Sequence, residues 1–212
     1  INGFGKVKSG KSVEVTAADG SKKTYTAAHI ILATGARSRE LPNLKQDGKN
    51  IIGYREAMSL PEQPKSMVVV GSGAIGVEFA YFYNAMGTKV TVVEFMPNIV
   101  PVEDEEVSKQ LERSLKKVGI EIMTNSSVES VTVSGGTCSV KIKSAKGESV
   151  ITCEKVLSAV GITTNIENIG LEECGIITDK GKVVVNDFYQ TNIPGIYAIG
   201  DIVKGQALAH VA

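Results

Sequence analysis

The sequence predicts an α/β protein with a Rossmann-like parallel sheet joined to an antiparallel β-meander. Three observations carry this. A mostly apolar stretch, Ser66-Met67-Val68-Val69-Val70, runs straight into the turn Gly71-Ser72-Gly73-Ala74-Ile75-Gly76. A helical stretch from Ala74 to Met86, stopped by Gly87, leads to a second strand, Lys89 to Glu94; this spacing is that of a parallel βαβ unit. Further on, Ser127 to Val133, Thr137 to Lys143 and Ser149 to Leu157 form a meander, with Gly135-Gly136 and Lys146-Gly147 at its corners.

The elements follow in order. Ser12 to Thr16 alternates with period two, Asp19-Gly20 turns the chain, and Lys23 to Thr26 returns. His29 to Gly35 is a mainly apolar run, which predicts a strand buried on both faces. Leu41 to Pro64 is punctuated by Pro and Gly, has one short helical stretch from Tyr54 to Leu60, and contains a domain boundary. Asp104 to Val118 reads as a helix with Val107, Leu111, Leu115 and Val118 on one stripe. Acidic residues at its start and Lys116-Lys117 at its end suit the helix dipole. Gly119 ends that helix, and Ile120 to Met123 is a third strand. The tail holds one short apolar strand within Pro194 to Asp201. The expected divisions are 1–52, 53–165 and 166–212.

The glycine turn carries the chemistry. Gly71 permits the tight strand-to-helix turn. Gly73 lets a pyrophosphate approach the backbone, and Gly76 lets helix and strand pack closely. The free N–H groups and dipole of Ala74, Ile75 and the rest of the first turn attract that anion. The second strand ends on Glu94, about twenty positions further on, where a carboxylate accepts from the adenine-ribose hydroxyls. A carboxylate repels a 2′-phosphate, and Phe95-Met96-Pro97-Asn98 offers no arginine, so the pattern favours NAD over NADP. FAD binds the same type of turn and is the alternative on the motif alone.

Bulk properties exclude several classes. The 212 residues are 42% hydrophobic, and 23 basic side chains balance 23 acidic ones, so nothing favours nucleic acid or an anionic membrane. No apolar run reaches 18 residues, which excludes a transmembrane helix. Ile1 opens without a Met or an apolar leader, and Ala212 closes inside an apolar stretch; a piece of a longer protein is expected. Cys138, Cys153 and Cys174 are widely spaced and have no zinc-ligand spacing, so no metal site is expected; they read as reduced thiols of a cytoplasmic protein.

Three more signatures surround the βαβ unit: Ile31-Leu32-Ala33-Thr34-Gly35-Ala36, Ala159-Val160-Gly161, and Pro194 to Asp201. In this order they resemble the two-dinucleotide flavoprotein disulfide reductases, in which an NAD(P) domain is inserted into a split FAD domain. Gly76-Val77-Glu78-Phe79, Lys89 to Phe95, Ile99-Val100-Pro101, Ile1 to Lys6 and Leu208-Ala209-His210 are similar to the dihydrolipoamide dehydrogenase branch. The resemblance implies that 1–52 and 166–212 belong to an incomplete FAD domain. It implies FAD contacts at Gly5, Thr34, Gly35, Ala36, Asp201 and Ala209. It implies NAD contacts at Gly71, Gly73, Ala74, Ile75, Gly76, Glu94, Val128 and Gly161. Glu78 would be a flavin-side partner of a lysine outside this sequence. The implied partners are dihydrolipoamide on an acyltransferase complex and a second subunit. Many relatives carry Arg after Gly161, where this chain has Ile162-Thr163, so one NAD-side contact stays open. No two cysteines are close enough in sequence to be the paired redox cysteines, so the chain alone is expected to be inactive and to carry no catalytic residue. A mercuric reductase or NADH oxidase relative, and a stand-alone nucleotide-binding module, remain as alternatives.

Overall fold

Valine and isoleucine dominate the central strands because β-branched side chains fit a pleated surface covered on both sides. A computed structural model describes residues 1–211. The chain begins with β1 (Phe4–Lys8), β2 (Ser12–Thr16) and β3 (Lys22–Thr26), then β4 (Ile30–Leu32) and β5 (Ala36–Ser38). Next come β6 (Ile51–Ile52), α1 (Tyr54–Ala57), β7 (Ser66–Val70), α2 (Ala74–Ala85), β8 (Lys89–Val93), α3 (Glu105–Lys117) and β9 (Glu121–Met123). The meander is β10 (Ser126–Ser134), β11 (Thr137–Ser144) and β12 (Gly147–Cys153), followed by β13 (Lys155–Ser158). The return comprises β14 (Ile162–Thr164), β15 (Thr178–Asp179), β16 (Lys182–Val183), β17 (Ile196–Ala198) and a 3₁₀ turn at Gly200–Ile202.

The chain divides into two compact units, one of 1–37 with 162–212 and one of 38–161. Both divisions fall earlier in the chain than the expected 52/53 and 165/166. Ile51 and Ile52 belong to the inner unit because they pair in parallel with Val156 and Leu157.

The inner unit is built on a five-stranded sheet of order β6-β13-β7-β8-β9, parallel at every pairing. One face, through Met67, Val69, Val90, Val92 and Leu157, packs against Ala80 and Tyr83 of α2 and Leu115 of α3. The other, through Val68, Val70, Val93 and Val156, packs on Val128, Val140 and Ile142 of the meander. Both faces are thus covered, as parallel sheets require.

The last meander strand differs from expectation. Ser149 to Leu157 is not one strand but two, broken at Glu154. β12 pairs antiparallel with β11 and is largely exposed, whereas β13 enters the parallel sheet and buries Val156, Leu157 and Ser158. The Glu154 N–H donates to the Ser66 carbonyl (3.2 Å) and its carboxylate accepts from the Lys65 N–H (2.7 Å), which fixes the corner. The α3 stripe is also thinner than its spacing implies: Leu115 is buried, but Val107 is 55% exposed and Val118 50%.

The outer unit holds the β1-β2-β3 antiparallel sheet and a parallel β4–β17 pair, with Ile30, Leu32, Ile196, Ala198 and Ile202 in one core. β4 is shorter than its apolar run, and it is not buried on both faces: Ile31, between buried Ile30 and Leu32, is 62% exposed. Successive side chains of a strand point to opposite faces, so Ile30 and Leu32 enter the core while Ile31 points away from it. Among the described residues no helix is long and apolar enough to cross a membrane.

Candidate functional site

In the inner sheet the strand order reverses between β7 and β13: the chain proceeds outward from β7 through β8 to β9, then returns to the other side of β7. In open α/β sheets such a switch point leaves a crevice outside the carboxyl ends of the strands. The turn at Gly71 to Gly76 follows β7, Glu94 follows β8, Val128 follows β9, and Gly161 follows β13, so the structure brings all of these to one edge. Backbone bonds tie the edge together. Gly71 N–H donates to Val93 O (2.9 Å), Ala159 N–H to Val70 O (2.8 Å) and Glu94 N–H to Met123 O (2.8 Å).

The fold itself requires two of the three glycines. Gly71 has φ of +95°, and a β-carbon there would lie 2.5 Å from the Ala159 carbonyl oxygen. At Gly76 it would lie 2.0 Å from the Gly71 carbonyl oxygen. At Gly73 it would meet nothing within 4 Å, and the backbone there is extended, with φ of −64° and ψ of −179°. Gly73 is also the N-cap of α2, and no side chain caps that helix. The first N–H groups of a helix, here those of Ala74, Ile75 and Gly76, have no intrahelical acceptors and are available to an anion.

Glu94 is only 7% exposed. One carboxylate oxygen, Oε2, accepts from both the N–H (2.7 Å) and the hydroxyl (2.6 Å) of Ser72; the other, Oε1, accepts from the N–H of Met96 (2.8 Å). A carboxylate offers about four lone-pair directions, so one is left for a further donor. Ser72 escaped the sequence reading because it occupies an unconstrained position of the glycine motif; only the fold sets it against a residue 22 positions away.

The other expected NAD-side positions are less open. The Val128 side chain lies in the meander core, and its carbonyl accepts from Asn43 Nδ2 (2.6 Å), beside a bulge between Val128 and Ser130. Gly161 is exposed at φ of +107°, and its carbonyl accepts from Arg39 N–H (3.0 Å). Glu78 is exposed on α2, beside an apolar groove of Ala57, Met58, Phe79 and Phe82. Of the consecutive aromatics Tyr81, Phe82 and Tyr83 on α2, only Tyr83 is buried, its hydroxyl donating to Ala57 O (2.6 Å); Tyr81 and Phe82 are exposed.

In the outer unit, β4 and β17 run parallel, which sets Thr34, Gly35 and Ala36 beside Gly200 and Asp201 at their carboxyl ends. Gly35 and Gly200 have φ of +67° and +73°. Asn165 holds the first segment, its N–H donating to Gly35 O (2.8 Å) and its Nδ2 to Thr34 O (3.0 Å). Asp201 is half-buried in the first turn of the 3₁₀ helix. Gly5 lies in the middle of β1 opposite Val15, in a different sheet, and Ala209 is exposed in a turn near the chain end.

The structure pairs two cysteines that are distant in sequence. Cys138 and Cys153 stand directly opposite on β11 and β12, both buried and both free. Burial raises both thiols, and with the neighbouring Cys138 it pushes Cys153 up to about 12. Buried thiols of this kind are poor nucleophiles.

The sequence matches the pyridine nucleotide-disulphide oxidoreductase family over residues 1–212. It is 49% identical to a dihydrolipoyl dehydrogenase of Rhizobium etli over 190 residues, 89% of this chain and 40% of that protein. It is 41% identical to the dihydrolipoyl dehydrogenase of Zymomonas mobilis, over 100% of this chain and 46% of that protein. The chain therefore spans less than half the length of these relatives. Among solved structures, LpdA of Mycobacterium tuberculosis superposes with a TM-score of 0.88 at 33% identity, covering 100% of this chain and 47% of that one. The flavoprotein disulfide reductase RclA of Escherichia coli shares the fold, with a TM-score of 0.85 at 24% identity over the same shares. With the glycine turn, its strand order and the flanking segments in place, this chain belongs to the pyridine nucleotide-disulphide oxidoreductase family.

Proposed function

We propose that this chain is the NAD-binding portion of a dihydrolipoyl dehydrogenase, with 38–161 as the NAD domain and part of an FAD domain in 1–37 and 162–212. The observation that supports the NAD site is that a β-carbon at Gly73 would meet nothing within 4 Å at an uncapped helix N-terminus, after the strand next to the one that ends at buried Glu94. Gly71, Gly73, Ala74, Ile75 and Gly76 would hold the pyrophosphate, and Glu94 would accept from the adenine ribose. Val128 and Gly161 would line the same edge. Bound NAD supplies a hydride acceptor; the protein's part is position and electrostatics.

Gly5, Thr34, Gly35, Ala36, Asp201 and Ala209 are assigned to FAD, with Glu78 on the flavin side. The whole protein would take dihydrolipoamide carried on an acyltransferase complex and would pair with a second subunit. Free thiols support a cytoplasmic setting. The 212-residue chain would not reduce NAD with a dithiol by itself, because its facing thiols are buried and raised.

Calorimetric titration of this chain with NADH and NADPH tests the reading. NADH should bind the more tightly, and Glu94→Arg should move the preference toward NADPH. Equal affinity for the two, or an unchanged ratio in the arginine variant, defeats the role given to Glu94.

A further inference from the structure

We propose that Ser72 is a specificity-determining positioning residue, which holds the Glu94 carboxylate in the orientation that favours NADH over NADPH. This rests on the NAD-site reading above. The Ser72 side chain is fully buried, at 0% exposure. It offers two donors, its N–H at 2.7 Å and its hydroxyl at 2.6 Å, to the same Glu94 oxygen, Oε2. Its carbonyl accepts from the Val100 N–H (2.9 Å), a third bond that holds the residue in place. The Met96 N–H holds Oε1.

Donors on both oxygens fix the plane of the carboxylate. A free glutamate turns about its last side-chain torsion, which is broad rather than staggered. Here the turn would break three charge-assisted hydrogen bonds. The remaining lone pair therefore has a set direction, available to a ribose hydroxyl that arrives as a donor. A 2′-phosphate brings only acceptors and negative charge to the same place, and the fixed carboxylate cannot swing away from it. Ser72 thus sits between the two halves of the motif: it belongs to the glycine turn, yet it acts through the acidic residue.

The test is Ser72→Ala in the 212-residue chain, read as NADH and NADPH dissociation constants beside thermal melting. Alanine keeps the N–H bond and removes only the hydroxyl. NADH should weaken by about tenfold, the scale of one charge-assisted bond, while NADPH changes by less than about twofold. The same substitution in a Glu94→Ala background, which leaves Ser72 no side-chain acceptor at that position, separates positioning from general damage. If Ser72 acts through the carboxylate, its removal there should alter NADH binding by less than about twofold. Should the alanine chain melt early, Ser72→Gly, which also keeps the N–H, is read in the same way. An unchanged NADH to NADPH ratio overturns the proposal, as does an equal loss of NADH binding with and without Glu94. Failure of the unsubstituted chain to bind either nucleotide defeats the NAD-site reading itself, before any variant is made.

Discussion

An alanine methyl at Gly76 would lie 2.0 Å from the Gly71 carbonyl oxygen, inside any permitted contact, whereas one at Gly73 would point into open space. The two substitutions should therefore separate folding from binding. Gly76→Ala forces the turn away from α2 and should cost about 3 kcal/mol or more of stability. Gly73→Ala keeps an ordinary φ and should leave stability within about 1 kcal/mol of the original, on the stabilising side. It should nonetheless abolish NADH binding, because the methyl occupies the space assigned to the pyrophosphate. Urea melts with parallel NADH titrations check both; a Gly73→Ala chain that binds normally would remove that assignment. Cys153 allows a test by pH. Its thiol, pushed by burial to about 12, ionises near 9.0 when unfolded. Between those values the folded chain keeps a proton that the unfolded chain has lost. Stability is thus fully present below pH 9 and falls above it, by on the order of 1.4 kcal/mol per pH unit from this one group. Cys153→Ala should flatten the decline in urea midpoint above pH 9, and an identical slope in both chains would show that other groups govern it. At this scale Gly71 and Gly76 were legible because the tight turn they permit is local. Ser72 and the Cys138–Cys153 pair were not, because their partners arrive through tertiary pairing.

At the scale of elements, the extent of α3 was legible to within a residue at each end, because its signal lay within one segment. Asp104 heads α3 as its N-cap, accepting from the Glu106 N–H at 2.8 Å and the Val107 N–H at 3.4 Å. Asp104→Ala should cost about 1 kcal/mol by loss of that cap. Leu115→Ala should cost about 3 kcal/mol, since Leu115 is in the core. Val107→Ala, on the same sequence stripe but exposed, should change stability by less than about 0.5 kcal/mol. Chemical denaturation orders the three; a large loss at Val107 would mean that the helix face is wrongly placed. The stripe overstated burial because periodicity reports which residues share a face, not how far the covering layer extends. The strand break at Glu154 escaped notice for a related reason. Apolar residues continue across it, and only the change of partner from β11 to β7 separates β12 from β13.

At the scale of the whole chain, the boundary depends on which strands share a sheet. Residues 43–50 look like connection in the sequence, yet Leu44 is buried in the meander-side core, and Asp47 accepts from the N–H groups of Lys49, Asn50 and Ile51 to shape the entry to β6. Ile51 and Ile52 then complete the sheet edge. A cut at 52/53 would remove that edge strand and Leu44, whereas a cut at 37/38 and 161/162 keeps both cores of the inner unit entire. The ends of that unit already meet, since the Arg39 N–H donates to the Gly161 carbonyl at 3.0 Å. Close termini and a self-contained core are what an independently folding domain requires. Residues 38–161 expressed alone should therefore unfold in one cooperative transition and bind NADH within about twofold of the 212-residue chain, because the residues assigned to the nucleotide all lie inside it. Residues 53–161 should fail to fold cooperatively, having lost Leu44, Ile51 and Ile52 from fully or nearly fully buried positions. Circular dichroism melts and calorimetric titration of both pieces decide the matter. Equal stability of the two would show that β6 and the segment before it are dispensable. A folded 38–161 that ignores NADH would mean that the nucleotide site needs residues of the outer unit.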